Sequence, residues 1–175
     1  MLEEVSSLVP CSIHAYALMP NHVHLLLSPM DVDGSSLLMK HLGQRYVQAF
    51  NRRHARSGTL WEGRFRSCVV DSEEYLFRCH QYVEMNPVRA GIVANPRDYV
   101  WSSYRANAEG EGSQIVTPHP LYLSLGADVQ ARSARYRDFF HRELSQEDLG
   151  RIRNATNSGK PLGFRSLGGS KKPGV

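Results

Sequence analysis

No run of 18 apolar residues occurs in the chain, so no segment reads as a membrane span. The opening stretch MLEEVSSLVP is acidic and short, unlike a secretory signal. Cysteine is scarce. Cys11, Cys68 and Cys79 are odd in number, widely spaced and form no CxxC pair. That argues against a disulfide framework or a zinc finger, fits a reducing cytosol, and reads each cysteine as a buried apolar side chain. GxSxG, P-loop and GxGxxG signatures are missing too, and no internal repeat is found.

What is present suffices for one domain with a core and an appendage: 175 residues, 41% hydrophobic. The formal charge is +4. Its distribution says more than its size. Lys40, Arg45, Arg52, Arg53, Arg56, Arg64 and Arg66 face one acid, Glu62, over 27 residues, so this stretch nets +6 and the rest of the chain −2. Such concentration fits a polyanion contact and equally a solvated helix face.

Residues 11–18 and 22–28 read as two strands joined by the turn residues Met19-Pro20-Asn21, a hairpin. Ser35 or Ser36 can cap a helix to about His54, with Leu38, Leu42, Tyr46 and Phe50 as its buried stripe. A strand is expected near Phe65–Val70. Asp71-Ser72-Glu73-Glu74 starts a second helix to about Asn86, where Pro87 disfavours helical geometry, and a short turn to Gly91 follows. DYVWSSY (98–104) reads as a last strand or an extended segment. Residues 1–107 then form one domain, 108–127 a linker, and 128–175 a helical tail. In that tail Ser145 and Asp148 form a capping box, and the Gly- and Lys-rich end is disordered. The order implies an antiparallel α+β fold with helices on one face.

The stretch MPNHVHLLL carries the most chemical information. Residues two apart in a strand share a face. His22, His24 and Leu26 therefore lie on one side, and Val23, Leu25 and Leu27 on the other. Two neutral imidazoles projecting together make a metal platform. An exposed histidine pair on a half-buried strand has the same spacing. A histidine-triad hydrolase would need a third alternating histidine where Leu26 stands. On the second helix Tyr82 and Asn86 are four apart, on a stripe with Tyr75 and Cys79. Tyrosine at that spacing is commonly core; beside a metal it is a covalent nucleophile, and Asn86 offers a carbonyl oxygen as third ligand. His80 points elsewhere.

Four blocks in order, YALMPNHVHLLL, NRRH…GTLWEGRFRS, YLFRCHQYVEMNPVRAGIV and DYVWSSYRAN, resemble the REP-associated tyrosine transposases, a single-tyrosine branch of the HUH nucleases. The likeness covers about 13–107, with a looser echo at IRNATNSGKPLG. It implies a ferredoxin-like antiparallel sheet; His22, His24 and Asn86 holding Mg²⁺ or Mn²⁺; and Tyr82 as nucleophile. It also implies single-stranded, hairpin-bearing DNA as substrate and a cytoplasmic, nucleoid-associated protein. The basic residues would then neutralise phosphates, and Trp61 would either stack on an unpaired base or pack under its loop. Family members begin with a further strand and most of a helix; here only MLEEVSSLVP precedes the hairpin. The expectation is a sheet short of its N-terminal strand, its open edge a place for a second copy in a homodimer. A DNA-hairpin-binding relative without turnover is the rival, and a two-histidine hydrolase unrelated to DNA the third reading.

Overall fold

The computed structural model describes residues 1–163; the chain end read above as disordered lies outside the described residues. The elements run α1 (Leu2–Ser6), β1 (Cys11–Leu18), β2 (Val23–Pro29), α2 (Gly34–His54), α3 (Glu73–Glu84), α4 (Asn86–Arg89), α5 (Tyr104–Glu109), α6 (Pro120–Leu123), α7 (Val129–Asp138) and α8 (Gln146–Ser158). Single 3-10 turns lie at Pro96–Asp98 and Phe139–His141. The architecture is α+β, and among the described residues no helix is long and apolar enough to cross a membrane.

β1 and β2 pair antiparallel, with Leu18 opposite Val23 and Cys11 opposite Pro29. The register slips between Ile13 and Ala15, leaving His14 as an extra residue. A bulge of this kind changes which face the following side chains occupy. Before it, Cys11 and Ile13 pack with Leu2 and Val5 of α1 and with Leu38 and Leu42 of α2. After it, Ala15 and Ala17 pack with Val83 of α3 and with Tyr99. On β2, Leu25 and Leu27 join the first cluster and Leu26 the second. The hairpin therefore carries helices on both faces, which corrects the expectation of a single helical layer. Both of its faces are apolar, and each needs a cover.

The sheet has two strands among the described residues. The strand expected near Phe65–Val70 does not form. Only Val70 makes a bridge, to Leu162, and Leu162 N–H donates to Val69 O (2.7 Å). This segment is drawn to the chain leaving α8, where Arg66 also donates to Asn157 Oδ1 (2.7 Å), so it never reaches the hairpin. The 98–104 stretch is neither a strand nor an extended segment: Asp98 ends a 3-10 turn, Val100 and Trp101 lie in a turn, and Tyr104 begins α5. The stretch lies along β1 for one bridge, Ala17 with Ser102, flanked by Leu18 N–H to Trp101 O (2.9 Å) and Ser103 N–H to Tyr16 O (3.0 Å). Further down, Thr117 N–H donates to Ile13 O (2.7 Å). Later chain thus closes much of the outer edge of β1. On the far side of β2, no main-chain partner occurs among the described residues.

α2 begins at Gly34, one residue ahead of the serines expected to cap it. Gly34 is tucked where a Cβ would meet Pro29 Cβ at 3.0 Å and Pro10 O at 3.2 Å, so the hairpin end sets the helix start. Leu38 and Leu42 are buried as expected, but Tyr46 is 40% exposed and Phe50 only half-buried. The long helix outreaches the short hairpin beneath it. α8 starts as the capping box predicts, with Ser145 Oγ accepting from Asp148 N (3.0 Å).

α3 is locked from behind. Glu84, with no solvent exposure, accepts from Ser103 Oγ (2.6 Å), Asn107 Nδ2 (2.8 Å) and Tyr136 Oη (2.8 Å). Asn107 Nδ2 also donates to the carbonyl of the bulged His14 (3.0 Å). Because the Tyr136 proton goes to Glu84, His80 Nδ1–H is the donor in the 3.2 Å contact with Tyr136 Oη. One carboxylate thus joins α3, α5 and α7 to β1. Burial, opposed by these three donors, raises the Glu84 pKa to about 7 from 4.5. The folded state keeps a proton that the unfolded chain releases between those values. This contribution to stability is present below about pH 4.5 and lost as pH rises through about 7. Glu84→Ala should cost about 3 kcal/mol or more in urea unfolding, because three buried donors lose their acceptor. In Glu84→Gln this component should disappear, so the unfolding midpoints should rise more steeply from pH 4.5 to 7 than those of the unmutated chain. In the unmutated chain the lowered pKa values of His24 and His80 oppose the Glu84 decline.

Candidate active site

The second face of the hairpin holds the histidines. His22 and His24 flank Val23, and α3 lies over the same face through Leu26 and Val83. Strand alternation makes the two imidazoles converge. Their Nε2 atoms are 3.0 Å apart, and the rings sit edge to face with centroids 4.7 Å apart. Asn21 Oδ1, in the turn, is 2.6 Å from His22 Nδ1. It accepts the Nδ1 proton and leaves His22 Nε2 unprotonated, as a metal ligand requires.

Tyr82 comes to this pair from α3, its ring edge-on to His24 at 5.6 Å between centroids. Below it Tyr75 and Cys79 continue the stripe into a core shared with Ile152 and Ala155 of α8. The chain breaks its helix at Met85 and restarts at Asn86-Pro87, which leaves the Tyr82 carbonyl at a helix end. Two side chains from α4 occupy that oxygen: Asn86 Nδ2 (3.4 Å) and the Arg89 guanidinium. With its amide nitrogen so used, Asn86 keeps Oδ1 for another partner. The same Arg89 guanidinium lies over the Tyr82 ring, 4.7 Å from the centroid. His80, two residues from Tyr82, points away into the core.

Residues 1–86 match the family model described as "Transposase IS200 like". The match takes in 86 of the 175 residues, just under half of the chain, and makes this part similar in sequence to the IS200-like transposases. A Haemophilus influenzae protein provisionally named REP-associated tyrosine transposase is 24% identical over 112 residues, which cover 58% of this chain and 64% of that protein. The chain thus spans less than two thirds of that relative's length. No solved structure matches the chain. The family match ends at Asn86, so it takes in both histidines and Tyr82.

Burial, then the neighbouring His22 and Arg89, lowers the His24 pKa to about 4 from 6.5. The ring is therefore neutral through the physiological range. Among the described residues no group of three His, Cys, Asp or Glu side chains could hold a metal. For a cation held by the two histidines, a third protein ligand would be of another type, such as a carboxamide oxygen. Six-coordinate cations with ligands at about 2.1 Å place adjacent donors about 3.0 Å apart, which the histidine pair matches.

The basic residues divide. Lys40, Arg52, Arg53, Arg56 and Arg64 are exposed, and none forms an ion pair among the described residues. Arg45 pairs with Glu4 of α1 (3.2 Å), and Arg66 donates to Asn157. Trp61 packs on α2, its ring 5.7 Å from Tyr46 and its Nε1 3.4 Å from Gly43 O. Sequence reasoning missed Asn21 and Arg89. Arg89 had no usable signal, because the helix breaks at Met85 between it and Tyr82 and helical spacing does not relate the two. Asn21 had none, because a turn asparagine needs no partner to be explained.

In metal-free protein the His24 imidazole resonances should stay constant from pH 8 to 5 and move with a midpoint near 4 in an NMR titration. The sign for stability follows: the neutral ring contributes above pH 6.5, and that contribution is lost as pH falls through about 4, since the unfolded chain takes up the proton first.

Proposed function

We propose that the chain is a divalent-metal-dependent endonuclease and strand transferase for single-stranded, hairpin-bearing DNA, with Tyr82 as nucleophile. The observation that carries this reading is the convergence of His22 and His24 Nε2 beside the Tyr82 ring, on a segment of IS200-like sequence. His22, His24 and the Asn86 carbonyl would hold Mg²⁺ or Mn²⁺. When bound, the cation supplies Lewis-acid polarisation of the scissile phosphate.

The protein's own residues do the rest. Tyr82 Oη forms a bond to phosphorus while the P–O3′ bond breaks, giving a 5′-phosphotyrosine and, after the leaving oxygen takes a proton, a free 3′-OH. The phosphodiester energy is kept in the tyrosyl ester, so the 3′-OH of another strand can reverse the step and join. A water nucleophile would hydrolyse instead. Asn21 holds His22 in the ligating tautomer. Lys40, Arg52, Arg53, Arg56 and Arg64 would track the phosphates, with Arg45, Arg66 and Trp61 at the margins of the same stretch. DNA binding without turnover is the second reading, favoured by the two-stranded sheet and the open side of β2.

Incubation with Mn²⁺ and labelled hairpin oligonucleotides of randomised flank should give an SDS-resistant adduct. That adduct should be absent in Tyr82→Phe and abolished by EDTA or His24→Ala. Binding with no adduct from the unmutated protein would select the second reading. Affinity should fall steeply with salt. Replacing Arg52, Arg53 and Arg56 by alanine should flatten the log–log salt slope by about 2, at about 0.7 for each single-strand phosphate that is no longer neutralised; an unchanged slope would remove these arginines from the interface.

A further inference from the structure

Arg89 lies outside the IS200-like match and outside the metal ligands, yet it touches the nucleophile twice. Its guanidinium covers the Tyr82 ring at 4.7 Å and donates to the Tyr82 carbonyl. It is half-buried and forms no ion pair with a carboxylate among the described residues. A guanidinium carries five N–H donors, and the Tyr82 carbonyl is the single acceptor it meets among the described residues. A partly desolvated cation without a counter-charge is costly unless an anion arrives to pair with it. Burial first, and the charge of Arg153 on α8 in addition, pull its pKa down, with Tyr82 opposing; arginine nonetheless stays charged. The anion this chemistry accepts is a planar, two-oxygen group, a carboxylate or a phosphodiester. Its place beside Tyr82 and the histidine pair selects the phosphodiester.

We propose that Arg89 is a further catalytic residue: stacked on Tyr82, it fixes the nucleophile's ring and presents its unused N–H groups to the non-bridging oxygens of the scissile phosphodiester. The step itself is the one given above, with Tyr82 Oη bonding to phosphorus and the 3′-oxygen leaving. Arg89 exchanges no proton or electron. It meets the negative charge on the equatorial oxygens as that charge grows. One guanidinium thereby aligns nucleophile and target, which a lysine cannot do, because an ammonium neither stacks nor forks.

This inference rests on Tyr82 as nucleophile, and two measurements on the full chain keep it separable from that reading. The first uses Tyr82→Phe, which keeps the ring and cannot form the ester. Addition of the dinucleotide dTpT should shift the Arg89 guanidinium Nε–H resonance in NMR, and Arg89→Lys should remove that signal. No shift on saturation with dTpT would overturn the proposal. The second compares single-turnover adduct formation with Mn²⁺ and the hairpin pool. Arg89→Lys should slow the adduct step about 100-fold with DNA affinity within about threefold of the unmutated chain. An equal adduct rate, or a loss confined to affinity, would overturn it. If the unmutated chain forms no adduct, the nucleophile reading fails while the dTpT shift still decides Arg89. Arg89→Lys keeps charge and stem, so its urea midpoint should match the unmutated chain; if it does not, the Tyr82→Phe measurement decides alone.

Discussion

The buried Glu84 carboxylate is the constraint on which the rest depends. It receives donors from Ser103, Asn107 and Tyr136, and Asn107 reaches on to the bulged His14 of the hairpin. A carboxylate in a low-dielectric interior must be satisfied fully or it opposes folding. Its three donors come from two parts of the chain, Ser103 and Asn107 at α5 and Tyr136 on α7, so satisfying it fixes where α3 lies. Two residues earlier on the same helix stands Tyr82, on the opposite side. The lock behind the helix and the proposed reactive face in front share one helix, and positioning is what the proposed attack by Tyr82 demands.

The front face is built differently. Strand alternation lets β2 give its leucines to two cores while His22 and His24 converge at the end of one face. Burial of His24 keeps its ring neutral, and Asn21 fixes the tautomer of His22. Arg89 then adds a positive charge beside the two imidazoles and the Tyr82 ring. Two imidazoles, an arginine and a tyrosine within one small region make sense together if the visitor is a phosphodiester.

The tail is part of the same construction. Tyr136 of α7 closes the Glu84 network, and Ile152 and Ala155 of α8 pack under the stripe that carries Tyr82. Arg78 of α3 also pairs with Asp148 near the start of α8. Beyond the family match at residue 86, the chain therefore still shapes the site. Later segments also take over edge pairing along β1. A short sheet is here supported by loops where a larger sheet would use strands.

Local chemistry made much of this legible in advance. The hairpin, the helix starts at Ser72 and Ser145, the break at Pro87 and the shared face of the two histidines all follow from periodicity, capping and the missing proline N–H. Those rules act over a few residues, and the sequence states them directly. Four features needed the folded chain: helices on both faces of the hairpin, the failed strand at 65–70, the exposure of Tyr46, and the stacking of Arg89 on Tyr82. The first turns on one bulged residue, His14, which moves the next side chains to the opposite face without any change of residue type. The second turns on competition for a partner, which Leu162 wins for Val70. By itself the sequence determined which groups could share a face. The tertiary structure decided which faces meet, because burial and unpaired hydrogen-bonding groups are satisfied only between segments far apart in the chain.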